Sequence, residues 1–329
     1  MLKYTLKRLL YSVIILFFVM FIIYILMYNM PSGYIETKAR ELASRPGATK
    51  SYSQWLDDLN AQYGMDKGVV QGYLIWLKSA VRGDWGDSWA WTIPVTQEFH
   101  NTVWYSFILG LIAFVFEILI AIPLGIAAAK KQYSLLDYAT TVFAMVCISM
   151  PTFFLATLLK YVFSVKLGWF DLSGMQGRDY INLSDFGKFL DVAKHFVLPS
   201  VTLIIISIGG LMRYTRTNML EVLNADYIRT ARAKGVPEKK VINYHAFRNT
   251  MIPLVTTLGG SLPGLFSGAL ITETQFAIRG IGYASYTSMT QADIPFIMFY
   301  LAFISILTLL GNLISDLLYG VVDPRVRLS

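Results

Sequence analysis

The chain is 329 residues long, 55% hydrophobic and only 15% charged, with a formal net charge of +7. Soluble domains carry about a quarter charged residues, so this balance and a mean hydropathy of +0.51 exclude an ordinary soluble domain and indicate a membrane protein. The single Cys147 excludes an internal disulfide, and His100, His195 and His245 are too scattered for a metal site.

A bilayer core needs about 20 mostly apolar residues per helix. In chain order six segments meet this: 9–29, 104–129, 138–164, 196–217, 250–277 and 295–321. The reading is all-α, a single polytopic bundle of six transmembrane helices, although the length would also accommodate two soluble domains. Residues 1–8 form a basic N-terminus with Lys3, Lys7 and Arg8. The first apolar run is too long for the core of a signal peptide, and "YNMPSGY" offers no small-x-small cleavage site, so it is expected to be a retained anchor. "KKQY" after the second span, the basic segment after the fourth and "DPRVR" at the end fall on the side of the N-terminal lysines. By the positive-inside rule that side is the cytoplasm, with both termini inside. Lys and Arg cluster beside apolar runs and no nucleic-acid motif accompanies them, so nucleic acid is not an expected partner; the lipid bilayer is.

Residues 30–103 then form an external loop. In "VVQGYLIWLKSAV" the spacing of Val70, Tyr73, Leu74, Leu77 and Val81 predicts a helical apolar stripe, and "SQWLDDLNAQY" a second short amphipathic helix. Two readings stand: a helical cap on the outer face of the bundle, or a docking platform for an external partner.

From Arg213 to Arg248 there are eight Lys or Arg residues, interspersed with Glu221, Asp226 and Glu238. Each charge at mid-bilayer costs about 2.5–3.5 kcal/mol, so the segment 218–249 stays outside the membrane. Met219 to Ala233 consists largely of helix formers, with Leu220, Leu223, Tyr227 and Ala231 along one face. Gly235 suits the left-handed residue that stops a helix, and Pro237 the first turn of the next. The expectation is a helix, a tight turn and a second helix leading through His245 and Arg248 into the fifth span. A merely solvated basic face explains the charges alone; the helix-Gly-x-Pro-helix order adds a rigid knuckle able to meet a cytoplasmic partner.

The stretch "DYIRTARAKGVPEKKVINYHAFRNTMIPLVT" closely resembles the cytoplasmic signature of permease subunits of ABC importers, in the peptide (dipeptide, oligopeptide, nickel) class. "YLIWLKSAVRGDWGDSW", "AIPLGIAAAKK", "ETQFAIRGIGYASY" and "ISDLLYGVVDPRVR" are similar to the same class in matching order, nearly throughout the chain. The chain departs from the broad permease pattern, which begins Glu-Ala-Ala, by carrying Arg229, Thr230 and Ala231, the form usual in the peptide class. It departs from the peptide class by Arg279 in place of a proline.

The resemblance implies a type I ABC importer permease-like fold with a core domain over 104–329. The ATPase-coupling residues would be Asp226, Arg229, Ala231, Arg232, Lys234, Gly235, Val236, Pro237 and Glu238. It further implies two cytoplasmic ATPase subunits that hold ATP and magnesium, none of it bound by this chain. A second, non-identical permease and an external substrate-binding protein delivering peptides complete the set, in a bacterial or archaeal cell membrane.

The fifth span carries Pro253, Gly259, Gly260, Pro263, Gly264 and Gly268, a poor regular helix of the kind tolerated only where it is buried in protein or lines a cavity. Tight packing and a translocation path both fit. Ser261 within it, and Thr272, Glu273 and Gln275 near its outer end, are candidate path residues, the last three expected to face water or a gate. Glu117 in "AFVFEILIAIPLG" is either functional or a structural partner of Lys160 or of a polar group of another span. Asn312 in the last span is a similar candidate, and Asp316 lies near its cytoplasmic end. There is no Gly-x-x-x-x-Gly-Lys-Ser/Thr and no His-Glu-x-x-His, and "GGSLP" lacks the last glycine of a nucleophile elbow, so no catalytic constellation is expected. The alternative function is a stand-alone secondary transporter or channel, which would show inverted repeats and paired midplane charges.

Overall fold

A computed structural model describes residues 2–29 and 34–322; "DPRVR" lies outside the described residues. The chain is helical: α1 Leu2–Tyr28, α2 Tyr34–Ala43, α3 Tyr52–Tyr63, α4 Val69–Val81, α5 Val95–Lys130, α6 Leu135–Ser149 and α7 Thr152–Leu159.

 These are followed by α8 Asp185–Leu223, α9 Asp226–Ala233, α10 Glu238–Lys240, α11 Phe247–Gly259, α12 Leu262–Phe266, α13 Leu270–Phe276, α14 Ile281–Thr290 and α15 Ile294–Val322. From its start at Thr152, α7 ends at Leu159 and runs on into a π-helical turn, Lys160–Lys166; a second such turn, Val241–Ala246, joins α10 to α11.

Four helices are long and apolar enough to cross a membrane, or six spans if each of two bent pairs counts as one. The described chain divides into two compact units, residues 103–283 with 310–322, and residues 2–102 with 284–309.

In the first unit, α5 and α8 are far longer than a bilayer requires. The 39 residues of α8 span about 58 Å at 1.5 Å per residue, so it begins well before residue 196 and continues past 217. Ser184 caps its start, accepting from the Gly187 amide at 3.2 Å. A core of Ala121, Ile122, Ala144, Ile208, Leu211, Met212 and Leu254 joins α5, α6, α8 and α11. Gly209 permits the close approach of α6 to α8: a Cβ there would lie 2.6 Å from the Ala144 carbonyl oxygen.

The third span, expected as one helix over 138–164, is instead two helices bent by 102°. The bend falls at Met150–Pro151. Proline disfavours helical backbone in the residue before it, and Met150 is extended at φ −79°, ψ 122°. The fifth span is broken as its Gly and Pro content suggests, bending by 42° between α11 and α12, with Gly268 at φ +79° before α13.

In the second unit α3 and α4 pack on α1. Ser51 and Gln54 form a reciprocal capping box at the start of α3. The structure splits the apolar stripe expected of α4: Tyr73 is buried and Leu77 half-buried, with Trp76 and Ala80 on the buried side, whereas Val70, Leu74 and Val81 are exposed. Both faces of this helix are apolar, and the buried one carries the aromatic rings, which remove more area from water. The rings of Tyr24, Tyr73 and Trp76 pack at tilted angles with centroids about 6 Å apart, and Tyr24 donates to the Tyr63 carbonyl at 2.7 Å. Asp293, fully buried before α15, accepts from the Ser88 hydroxyl at 2.5 Å and the Trp89 amide at 2.9 Å. That carboxylate holds the "GDSW" turn of the loop.

Candidate functional site

The basic segment folds on an apolar seat. Met219 from α8, Ile228 from α9, Val241, Ile242 and Ala246 from the following π-helical turn, and Ala129 from the end of α5 are all buried together. The helix expected over Met219–Ala233 is interrupted: α8 stops at Leu223, Asn224 and Ala225 turn the chain, and α9 starts at Asp226. Asn224 bonds back to the Leu220 carbonyl through its side chain at 3.0 Å, the local competition that favours Asn in turns. Asp226 in the first turn of α9 suits the positive end of the helix dipole.

At the other end of α9, Gly235 takes φ +75°, the left-handed conformation expected there. Its amide donates to the Arg232 carbonyl at 2.9 Å and the Val236 amide to the Ala231 carbonyl at 3.2 Å. This pair of bonds is a Schellman motif, with Ala231 and Val236 turned together against the apolar seat. Pro237, expected in the first helical turn, is the residue before it, at φ −56° and ψ 137°, and its carbonyl accepts from the Lys240 and Val241 amides.

Across the turn, Arg232 grips Glu238 with two bonds, Nε to Oε2 at 3.1 Å and a terminal nitrogen to Oε1 at 2.8 Å. The guanidinium holds the Glu238 carboxyl below the ordinary glutamate range and is itself pushed up by it. Asp226, Arg229, Lys234, Gly235 and Pro237 are exposed with this pair, while Ala231 and Val236 are half-buried. The nine residues therefore separate into a charged outer tip and two inward props. Arg229 approaches Asp226 only at 3.4 Å in full solvent, a contact of little energetic weight.

An ion pair not foreseen in the sequence ties this region to the rest of its unit. Arg216 of α8 bonds Asp137 of α6 through Nε at 2.5 Å and a terminal nitrogen at 2.8 Å, and the Tyr133 amide adds a third bond at 2.9 Å. Asp137 is 3% exposed.

The predicted path residues do not converge. Glu117 on α5 is half-buried and shares a hydrogen bond with Ser207 of α8. It is not the partner of Lys160, whose Nζ donates to the Gln275 carbonyl at 2.6 Å above the Phe276 ring. Ser261 is half-buried and bonds the Leu258 carbonyl at 2.6 Å, and Asn312 is exposed on α15. Of the two surroundings expected for Thr272 and Glu273, water or a gate, water does not hold, for both are buried. Glu273 accepts from the Ser106 hydroxyl at 2.6 Å, the Ala269 amide at 2.9 Å and the Tyr283 amide at 2.8 Å. Ser106 in turn accepts from the Ile281 amide at 2.7 Å. A Cβ on Gly280 would meet the Glu273 carboxyl at 2.5 Å, so the closeness of this knot requires glycine there. A carboxylate with this many donors fixes the turn between α13 and α14, and Gln275 beside it is half-buried.

Residues 121–328 match the family described as "Binding-protein-dependent transport system inner membrane component", and residues 1–94 match its N-terminal counterpart. The chain belongs to this family. The permease is also 37% identical over 267 residues to the oligopeptide transport system permease protein AppB of Bacillus subtilis, covering 81% of this chain and 83% of the relative. It is 36% identical over 288 residues to the dipeptide transport system permease protein DppB of Escherichia coli K12, covering 82% and 84%. A DppB of Alkalihalophilus pseudofirmus aligns over 99% of this permease and 100% of its own length at 32% identity. The protein is thus a multi-pass membrane permease subunit of an ABC-type importer. Such subunits work with ATPase and substrate-binding components, and ATP is hydrolysed by the partners. No group of three or more metal-ligating side chains occurs among the described residues.

Proposed function

We propose that this permease subunit carries peptides across the cell membrane, that an external binding protein delivers them, and that the 226–248 loop couples it to two cytoplasmic ATPases. The observation that carries this reading is the loop itself: a Schellman-closed turn on a buried apolar seat, with Arg232, Lys234 and Glu238 outward. A rigid charged tip of this form transmits displacement rather than absorbing it. ATP binding at the partners closes them, moves the tip around Gly235 and converts the bundle between two packed states. The peptide assignment draws on the relatives, whose names concern oligopeptides and dipeptides.

Both termini lie in the cytoplasm, residues 30–103 lie outside, and residues 104–329 form the core that pairs with a second, non-identical permease. Glu117, Ser261 and Asn312 are the polar positions on the path. Thr272, Glu273 and Gln275 shape its outer turn instead of contacting cargo. The test replaces Arg232, Lys234, Lys239 and Lys240 together by serine in the full importer. Loss of ATPase co-purification and of peptide uptake, with the permease still present in the membrane, is the expected result. Retention of both refutes the coupling assignment.

A further inference from the structure

The helix α4 carries an apolar strip that its own unit leaves uncovered. Val70, Leu74 and Val81 are 63%, 52% and 80% exposed. At about 100° per residue these three lie within roughly 40° of one another, and the exposed Gln71 and Lys78 follow within about 100° of Val70. The uncovered half of the helix is therefore itself divided, apolar on one side and polar on the other.

Its position along α1 decides what covers the apolar side. The Tyr28 hydroxyl, at the C-terminal end of α1, donates to the Lys67 carbonyl at 3.0 Å, just before α4 begins. The Tyr73 ring then packs on Phe17 and Phe21 with centroids 5.2 and 5.1 Å away, and its hydroxyl donates to the Phe17 carbonyl at 2.7 Å. Trp76 packs on Tyr24 at 5.9 Å. Contacts at Phe17, Phe21 and Tyr24 place the middle of α4 four to eleven residues back from Tyr28, about 6–16 Å along α1. Helices lying in the membrane interface bury their apolar face by about 5–10 Å. The α1 segment beside α4 is apolar throughout, so α4 sits at hydrocarbon depth wherever α1 crosses the bilayer.

We propose that α4 lies in the plane of the leaflet reached by the C-terminal end of α1, with Val70, Leu74 and Val81 against lipid acyl chains. Gln71 and the snorkelling Lys78 face the headgroups. The inference needs only that α1 spans the membrane and is independent of what the permease carries, so it stands or falls separately from peptide import.

The assembled importer in lipid nanodiscs, with Cys147→Ala, tests it through single spin-labelled cysteines at positions 70, 74 and 81. Position 57 on the exposed face of α3 serves as the aqueous reference. Labels at 70, 74 and 81 should relax strongly with oxygen and several-fold less than position 57 with a water-soluble nickel chelate. Nickel accessibility equal to that at position 57 overturns the proposal in favour of a water-facing strip. Protection from both agents overturns it in favour of a protein cover. Three separate labels keep the result independent of any one variant that fails to assemble.

Discussion

Arg216 and Asp137 carry the sharpest single-residue consequence. Their pair is bidentate, and the aspartate is almost fully enclosed while the arginine side chain retains 26% exposure. Removing one member of an enclosed pair costs 3–5 kcal/mol at full burial, so partial exposure places Asp137→Ala at about 3 kcal/mol. A fall in melting temperature of the purified permease is expected. The Asp137→Ala, Arg216→Met double variant should recover part of the loss, since it leaves no uncompensated charge. Strictly additive losses in that cycle would show that the pair is not coupled. Glu273 makes the same point through neutral donors: a hydroxyl and two amides hold its carboxylate. Neither partner set was legible from the sequence, because Ser106 and Glu273 lie 167 positions apart and nothing local marks them as neighbours.

At the scale of elements, glycine and proline decide the geometry of the helices. Gly209 and Gly210 are adjacent in α8, but only the first faces α6; a Cβ on the second meets nothing within 4 Å. Gly209→Ala should therefore destabilise by about 1–3 kcal/mol, the cost of overpacking a close helix contact. Gly210→Ala should be neutral or gain up to about 1 kcal/mol from helix propensity. Thermal melting of the two variants reads the difference, and equal effects would deny the α6–α8 contact. Pro151 bends the third span because it acts on the residue before it, a local rule visible in "SMPTF" yet outweighed by the apolar run on either side. The knuckle at Gly235 and Pro237 was legible for the converse reason. Its turn is made by consecutive residues, and no distant contact is needed to specify it.

At the scale of the whole molecule, the family assignment and the apolar helices describe a subunit that works with others. Uptake by the purified permease alone, reconstituted in vesicles with an imposed ion gradient and no ATP, should not exceed that of empty vesicles. Adding the partner permease, the binding protein and the ATPases with ATP should restore it. Gradient-driven uptake by the chain alone would revive the secondary-transporter reading.

The membrane class, the apolar runs, the basic cytoplasmic-type loop and its Gly–Pro turn all followed from the order of residues, because hydropathy and turn chemistry act over a few neighbours. Tertiary structure alone decided which face of α4 is buried, where the third span bends, and that Glu273 is enclosed rather than open to water. Each of these depends on which distant segment arrives opposite, and hydropathy within the element does not encode that.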